Sequence, residues 1–215
     1  MKLSVAFLNL KPGTGKTTGA VWLSYALHEL GHEVLYVDAD KAASGLEWSD
    51  IIAAGDTASR GFPFRVIGMA SPELHHRVPE VARPDEIAVI DVPQMEDHAA
   101  IARSAIRLAD ERIIPVAPHG IEINRMAPVL QEISDIDPLR ARPGRTSVLL
   151  NRVVRSSTAA EEAREDLADD GYDVLSAEIP FLVKYSQSFG LPVKARATEF
   201  ESLAHELLKR AEVTA

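Results

Sequence analysis

The chain has 215 residues, of which 46% are hydrophobic and 26% are charged, and its formal net charge is −9. This composition is typical of a globular protein with a full core, and the acidic balance argues against a protein that coats nucleic acid over its whole surface. The absence of cysteine excludes disulfides, iron–sulfur clusters and cysteine nucleophiles. No apolar stretch has the length of a transmembrane helix. We expect a cytoplasmic protein whose residues 1–215 form a single domain.

Short apolar runs alternate along the chain with longer amphipathic segments. Seven runs are predicted strands, at residues 3–8, 33–37, 64–67, 87–90, 112–116, 147–150 and 174–177. Five segments are predicted helices, at residues 15–30, 97–109, 121–133, 159–169 and 199–211. Runs such as IAVI and SVLL are continuously apolar, which is typical of strands covered on both faces. The pattern predicts an α/β fold with a doubly wound, mostly parallel sheet flanked by helices. Residues 53–84 are predicted to be mostly loop around one short strand.

The stretch FLNLKPGTGKTTGAVWL, residues 7–23, joins a predicted strand to a predicted helix through a glycine-rich loop. Gly13 and Gly15 permit positive φ and close approach of the backbone. Backbone N–H groups at the start of the helix can then surround a phosphate, which the helix dipole also favours. In such a loop Lys16 reaches the β- and γ-phosphates and the Thr17 hydroxyl ligates Mg²⁺. The predicted nucleotide contacts are Gly13, Thr14, Gly15, Lys16, Thr17 and Thr18.

A second lysine, Lys11, lies at the start of this loop. The usual phosphate-loop spacing would place a glycine at position 10, where this chain has Leu10. Because the loop curls away from Lys11, we expect this lysine to miss the phosphates of its own site. A phosphate across a dimer interface is within its reach. The simpler alternative is a glycine-rich turn with solvated lysines.

Three carboxylates follow apolar strands and therefore belong to the edge of the sheet where ligands bind. Magnesium–phosphate chemistry needs one such acid, and Asp91 is the candidate. Asp38 and Asp40 share one face at a period of two, so both can point toward the site. The alternative for each acid is that it caps the following loop or helix.

The loop and its neighbouring segments resemble the ParA/MinD family of ATPases, which carry a deviant Walker A loop. LNLKPGTGKTT resembles that loop, HEVLYVDADKAASGLEWSD resembles the second family motif, and IAVIDVPQ resembles the Walker B strand. Later blocks, RIIPVAPHGIEINRMAPVLQEI and IPFLVKYSQSFGLPV, also resemble the family. Size and block spacing are most similar to the small plasmid-partition ParA proteins.

The resemblance implies a P-loop fold that hydrolyses ATP with Mg²⁺ and forms a homodimer in the ATP state. It also implies non-specific DNA binding, association with the nucleoid, and a centromere-binding or cargo-adaptor protein that stimulates hydrolysis. The residue roles that it implies include Lys16 on the phosphates, Thr17 on Mg²⁺, Lys11 crossing to the partner's nucleotide and Asp40 orienting the attacking water. The remaining implied roles belong to Asp38 beside Asp40, Asp91 on Mg²⁺ through water, Asn151 near adenine and Pro180 in the base pocket.

Two departures from the family pattern concern the loop and the second motif. Pro12 replaces the first glycine of the family loop and has no N–H to donate to a phosphate. Lys41 and Ala42 stand where the family often has Pro-Gln. Neither change removes a predicted ligand, and both leave the hydrolysis rate open.

Basic residues gather in PLRARPGRTSVLLNRVVR, within an otherwise acidic chain. Non-specific DNA binding needs only a few phosphate contacts. The DNA-binding candidates are Arg140, Arg142, Arg145, Arg152, Arg155 and Lys184. The alternative is a solvated surface whose arginines pair with acids such as Glu161 and Glu162.

Two other functions are compatible with the same loop. One is a metabolic P-loop ligase resembling dethiobiotin synthetase, although we find no dedicated acceptor-binding motif. The other is a MinD-like spatial regulator, which needs a basic amphipathic C-terminal helix. The last predicted helix has more acids than bases, so we expect it to pack on the sheet and not on a membrane.

Overall fold

A computed structural model describes residues 1–55, 60–140, 142–155 and 157–214. Within these residues seven strands form one sheet in the order β3-β2-β4-β1-β5-β6-β7. All of the strand pairs are parallel. The strands are β1 Leu3–Phe7, β2 Val34–Asp38, β3 Arg65–Gly68, β4 Ile87–Asp91, β5 Glu111–Val116, β6 Arg145–Val153 and β7 Ile179–Pro180. The predicted parallel α/β architecture is confirmed.

Helices cover both faces of the sheet, as parallel strands require. They are α1 Lys16–Glu29, α2 Ser44–Gly55, α3 Leu74–Val81, α4 Met95–Leu108, α5 Gly120–Asn124, α6 Ala127–Ile136, α7 Ala159–Asp169, α8 Val183–Ser186 and α9 Glu199–Thr214. A single 3₁₀ turn, Asp137–Leu139, follows α6. No helix of the described chain has both the length and the apolar character needed to cross a membrane.

The core has two layers, one on each face of the sheet. On one face α1 and α9 pack together, and Trp22, Phe200 and Leu203 are buried there. On the other face α3, α4 and α6 bury residues such as Leu74 and Ile106. Every residue of β1, β2, β4 and β5 is buried, which explains the continuously apolar runs in the sequence. The last helix packs on the sheet, as predicted.

The predicted strand at residues 174–177 is wrong. Val174 makes only an isolated bridge to Val148, and the edge strand of the sheet is Ile179–Pro180. The backbone N–H groups of Ser176 and Ala177 donate to the carboxylate of Glu206 at 3.0 and 3.1 Å. Because these donors are already satisfied by a side chain, this segment does not extend the sheet.

Three helical segments also differ from the prediction. The helix expected at 121–133 is broken into α5 and α6, with Pro128 in the first turn of α6 where its missing N–H costs nothing. The helix α2 was not predicted. The supposedly irregular segment 53–84 contains the end of α2 and the whole of α3, which accommodates Pro79; residues 56–59 of this segment lie outside the described chain.

Candidate functional site

Three predicted site segments meet at the carboxyl edge of the central strands. Strand β4 lies between β2 and β1, so Asp91 has Asp38 as its register partner on one side and Phe7 on the other. The glycine-rich loop follows Phe7 directly. The topology therefore places two strand-end carboxylates beside the loop, at the position where open α/β sheets bind ligands.

The loop offers a row of backbone donors. Gly13 and Gly15 have φ of +73° and +92°, and α1 begins at Lys16. In the part of the chain that the structure describes, none of the backbone N–H groups of residues 13–18 has a protein acceptor. Unpaired N–H groups at a helix start, together with the helix dipole, form an anion-binding site. The predicted phosphate contacts are therefore brought together on one loop.

Strand β6 holds this loop in place. Asn151 donates from Nδ2 to the carbonyl oxygen of Thr14 at 2.9 Å, and the Arg152 guanidinium donates to the carbonyl oxygen of Gly13. A Cβ added to Gly15 would lie 2.5 Å from Asn151 Nδ2. Glycine at position 15 is thus required by both its φ and its close contact with β6.

The two lysines of the loop point in different directions. Lys16 is buried and its Nζ donates to the carbonyl oxygen of Lys11 at 3.2 Å. Burial lowers the pKa of Lys16, and the nearby carboxylates of Asp91 and Asp40 oppose that shift. The Nζ of Lys11 instead forms an ion pair with Glu96 at 2.6 Å, on a partly exposed surface.

Asp91 is fully buried among groups that fix its carboxylate. The hydroxyl of Tyr36 donates to Asp91 Oδ2 at 3.2 Å, and the Thr17 side chain also hydrogen-bonds to Asp91. Burial, with a smaller contribution from Asp38, raises the pKa of Asp91 to about 7. The absence of a side chain at Gly45 makes room for this arrangement, because a Cβ there would lie 2.2 Å from the Tyr36 hydroxyl oxygen.

Asp38 and Asp40 have different surroundings although they share one strand end. The Asp38 carboxylate accepts backbone N–H groups from Asp40, Gly45 and Leu46 at 2.9–3.1 Å. Burial raises the pKa of Asp38, against the effect of those three hydrogen bonds. Asp40 is only partly buried and accepts one N–H, from Ala42 at 3.0 Å. Asp38 is therefore engaged by the loop that leads into α2, whereas Asp40 retains acceptor capacity toward the site.

The donor set fits a magnesium nucleotide. Mg²⁺ prefers oxygen ligands and binds through one or two protein groups plus phosphates and waters. The Thr17 hydroxyl at the start of α1 and the Asp91 carboxylate at the end of β4 are hydrogen-bonded to each other and are adjacent oxygen ligands. Together with the unpaired N–H groups and Lys16, they would hold the cation and the phosphates, and the bound cation would neutralise phosphate charge.

A pocket beside the loop contains both residues expected near the base. Asn151 and Pro180 line it together with Gly15, Thr18 and Phe181. Its walls are mostly apolar, which suits a planar ring with a few polar contacts at its edge. This pocket, adjacent to the phosphate loop, is where the base would bind if Asn151 and Pro180 have their predicted roles.

The DNA-binding candidates do not form one patch. Arg145 begins β6 and its neighbours Arg140 and Arg142 precede it, whereas the other three lie at or beyond the opposite end of the strand. The two ends of β6, a strand of nine residues, lie about 26 Å apart. Arg152 contacts the phosphate loop, and Arg155 and Lys184 both pair with Glu199, at 2.8 and 3.6 Å.

The acids that pair with these arginines differ from those expected. Arg145 lies 3.8 Å from the Glu111 carboxylate, and Arg155 pairs with Glu199. Among the described residues neither Glu161 nor Glu162 forms an ion pair with an arginine. Both observed pairs join residues far apart in sequence, which local spacing cannot reveal.

Four contributors to the site were missed by sequence reasoning. Tyr36 had a usable signal, since it precedes Asp38 by two residues in a strand and so faces the same side. The sequence carries no such signal for the other three, which are Glu96 as the partner of Lys11, Arg152 as a contact of the loop and Gly45 as the position that leaves space for Tyr36. Each of these depends on contacts between separate elements.

Comparison with known proteins agrees with this geometry. The model of the CobQ/CobB/MinD/ParA nucleotide binding domain matches residues 5–193. The chain belongs to this family. A relative from Gloeobacter kilaueensis, named "Maintenance of carboxysome distribution protein A", is 33% identical over 178 residues, covering 81% of this chain and 75% of that protein. The predicted membership of the ParA/MinD family is confirmed.

Solved structures share the fold at low sequence identity. Cobyrinic acid a,c-diamide synthase from Mycobacterium smegmatis, with bound ADP and magnesium, has a TM-score of 0.77 and 19% identity, with 100% of this chain and 97% of that chain covered. The septum site-determining protein MinD from Pyrococcus horikoshii, complexed with Mg-ADP, has a TM-score of 0.71 and 23% identity over 100% and 99% of the two chains. Both similarities support the fold.

Proposed function

We propose that this protein is a ParA-type ATPase that uses ATP binding and slow hydrolysis as a switch to position a cargo on DNA. One observation carries the proposal: the phosphate loop has two lysines with opposite orientations. Lys16 is turned into its own site, whereas Lys11 is held at the surface by Glu96. A lysine on the surface at the rim of a phosphate site suits contact with the nucleotide of a second copy.

In this proposal the site residues have separate tasks. The loop N–H groups and Lys16 hold the phosphates of ATP, and Thr17 and Asp91 hold Mg²⁺. Asp40 accepts a hydrogen bond from the attacking water, because Asp38 is already engaged by three N–H groups. Preorganised donors and positioning of the water are the main sources of rate in phosphoryl transfer.

The switch has two states in this account. ATP favours a homodimer in which Lys11 leaves Glu96 and crosses to the partner's nucleotide. The dimer binds DNA without sequence preference and stays on the nucleoid until an adaptor protein stimulates hydrolysis. Because a ligand shifts an equilibrium only by its differential affinity, the ATP-bound dimer must gain contacts that the monomer lacks, and Lys11 would supply one of them.

The cargo is the body that the adaptor protein connects to the dimer. The resemblance in sequence leaves three expected cargoes, which are a plasmid, a chromosome origin and a protein assembly. The relative from Gloeobacter kilaueensis carries a name concerned with carboxysome distribution, and it supports a protein assembly as an equally suitable cargo. A cargo adaptor, in either case, would recognise the ATP-bound dimer.

Retention on DNA-coated resin at fixed low salt tests this function. The account predicts greater retention with ATP and Mg²⁺ than with ADP, and loss of that difference in Lys16→Ala. Equal retention in all nucleotide states would contradict the switch. Turnover of ATP without dimerisation would instead favour a metabolic ligase.

A further inference from the structure

A shallow cleft at the amino edge of the sheet, opposite the phosphate loop, has a basic lining. It lies where α3, the end of α4 and the 3₁₀ turn meet. It is lined by His75, His76, Arg107, Leu139, Arg140 and Arg142. No carboxylate contributes to this lining.

The three arginines of the cleft have no ion-pair partner among the described residues. Arg103, one turn before Arg107 on α4, forms a bidentate pair with Glu132 at 2.6 and 2.7 Å. In the described ranges, by contrast, no ion pair engages Arg107, Arg140 or Arg142. What sets these three apart is that they converge on one cleft in a chain of net charge −9.

Arg140 is held in place without being neutralised. Its guanidinium donates to the carbonyl oxygens of Ile106 and Arg107 at the end of α4, and to that of Arg142 at 2.9 Å. The acid on the neighbouring 3₁₀ turn, Asp137, is already engaged by Arg112 at 2.6 Å. The main chain thus orients the Arg140 cation, and its positive charge remains available to an external anion.

A second cleft continues the basic surface along the same edge. The two clefts share Arg142, and the second also includes Lys2 and Arg145. This second lining also contains two acids. Asp110 accepts the N–H and hydroxyl of Ser4, and Glu111 lies 3.8 Å from Arg145 and partly offsets its charge. We call His76, Arg107, Arg140, Arg142 and Arg145 the amino-edge track.

The permanently charged arginines provide the charge of the track near neutral pH. The His75 ring contacts the Ser104 hydroxyl at 2.8 Å. Burial, then the neighbouring His76 and Arg107, lower the pKa of His75, with Glu73 opposing. His75 therefore lines the cleft as a neutral side chain at pH 7 and adds no charge to it.

The shape of the track favours an extended polyanion. A single small anion would need one cleft, whereas two clefts joined at Arg142 suit successive phosphates of a backbone. Apart from histidine, neither lining contains an aromatic ring on which a base could stack. We propose that the amino-edge track is the surface that contacts the DNA backbone, without reading sequence. This inference rests on the proposed function in one respect, since it assigns the DNA surface of that switch.

This assignment changes how ATP would control DNA binding. Arg145 of the track lies about 20 Å along β6 from Asn151, which contacts the phosphate loop, so the nucleotide does not touch the track. One protomer therefore binds DNA weakly whatever its nucleotide state. Because Lys11 places the dimer interface at the carboxyl edge, the two tracks of a dimer lie at opposite ends and do not share one short duplex. On long or surface-bound DNA they contact separate segments, the second contact becomes intramolecular, and ATP strengthens retention through avidity.

The test compares two charge-reversed variants by fluorescence anisotropy with a short duplex of random sequence. Arg107→Glu/Arg142→Glu removes two track cations. Lys194→Glu/Lys209→Glu is the matched control, since both lysines are exposed, lack a carboxylate partner in the described chain, and lie on the α1/α9 side of the sheet. Each protein is measured with ATP and Mg²⁺ and without nucleotide, over a salt series.

The track variant is expected to bind DNA at least about tenfold more weakly in both states and to reduce the salt slope by about 2, with ADP affinity unchanged. The control is expected to lose much less. Equal losses in the two variants, unchanged binding by the track variant, or no DNA binding by the wild type would overturn the proposal. Arg107→Gln/Arg142→Gln, a milder change, replaces the first variant if circular dichroism shows that it is unfolded.

Failure of the proposed function has a different readout. If ATP leaves the wild type monomeric, the switch is wrong. Whether the nucleotide-free protein needs Arg107 and Arg142 to bind DNA is measured independently of that result.

Discussion

The Nζ of Lys11 lies 2.6 Å from the carboxylate of Glu96, at the start of α4 in the same chain. Lys11 cannot keep this ion pair and also reach the nucleotide of a second copy. The pair is therefore a restraint on the proposed dimer. Because it is partly exposed, its strength is about 0–1 kcal/mol.

Glu96→Ala should release Lys11 and favour the ATP-dependent dimer. The expected effect is a decrease of up to about thirtyfold in the protein concentration at half-dimerisation, because two exposed pairs of up to about 1 kcal/mol each break per dimer. Analytical ultracentrifugation in ATP and Mg²⁺ measures it. Asp97→Ala is the matched control, since Asp97 bonds to Gln94 and not to Lys11. The same shift in both variants would mean that general charge, and not release of Lys11, is responsible.

Gly15→Ala should abolish nucleotide binding. The added Cβ would lie 2.5 Å from Asn151 Nδ2, and φ at this residue is +92°, so the loop must move away from β6. Gly31→Ala is the control for backbone strain, because φ is +89° there and no atom lies within 4 Å of the added Cβ. Titration with a fluorescent ADP analogue should show normal binding by Gly31→Ala, with a stability loss of about 1 kcal/mol. Normal binding by Gly15→Ala would refute the steric argument.

The two acids at the end of β2 should respond differently to substitution. Asp38→Ala leaves three N–H groups without their acceptor and should cost about 2–4 kcal/mol of unfolding free energy. Asp40→Ala should keep stability and ATP binding but slow single-turnover hydrolysis by at least about 100-fold, because water positioning is lost. Urea denaturation and quenched-flow assays separate the two. Fast turnover by Asp40→Ala would transfer the role to another group.

The stability of the protein should depend on the protonation of Glu111, which is remote from the nucleotide site. Burial raises the pKa of Glu111 to about 7, against the attraction of Arg145. A raised carboxyl pKa stabilises the fold fully below the unfolded value, and that stability is lost as pH rises from about 4.5 to about 7.

Glu111→Gln should therefore flatten the dependence of unfolding free energy on pH in this window, by about 3 kcal/mol at most. Part of the slope should remain in the variant, because the pKa of Asp91 is also raised, to about 7. Urea denaturation of both proteins at a series of pH values measures the difference. Parallel curves for the two proteins would show that Glu111 does not titrate in this range.

Much of the fold could be predicted because its causes are local. The buried strands read as continuous apolar runs, and the glycine spacing after β1 marks the phosphate loop. The failures have causes that lie elsewhere in the chain. Glu206, thirty residues away, satisfies the backbone that was predicted to be a strand, and α3 tolerates Pro79 on the surface.

The site also has some features that local sequence predicts and others that depend on contacts between distant segments. Strand ends identified Asp38, Asp40 and Asp91, and the register confirms that Asp38 and Asp91 are neighbours. The different surroundings of Asp38 and Asp40 depend on where the N–H groups of the following loop point. Sequence spacing does not contain that information, and neither does it contain the contact between Lys11 and Glu96.

The most direct test of the account is the mass of the Asp40→Ala protein in ATP and Mg²⁺, measured by light scattering with and without Lys11→Ala. Slow hydrolysis in this background preserves the ATP state. The account predicts a dimer for Asp40→Ala and a monomer when Lys11→Ala is added, with the affinity of the monomer itself for ATP unchanged. A dimer that survives the loss of Lys11 would contradict the role of this lysine in trans, and a monomer in both proteins would contradict the switch itself.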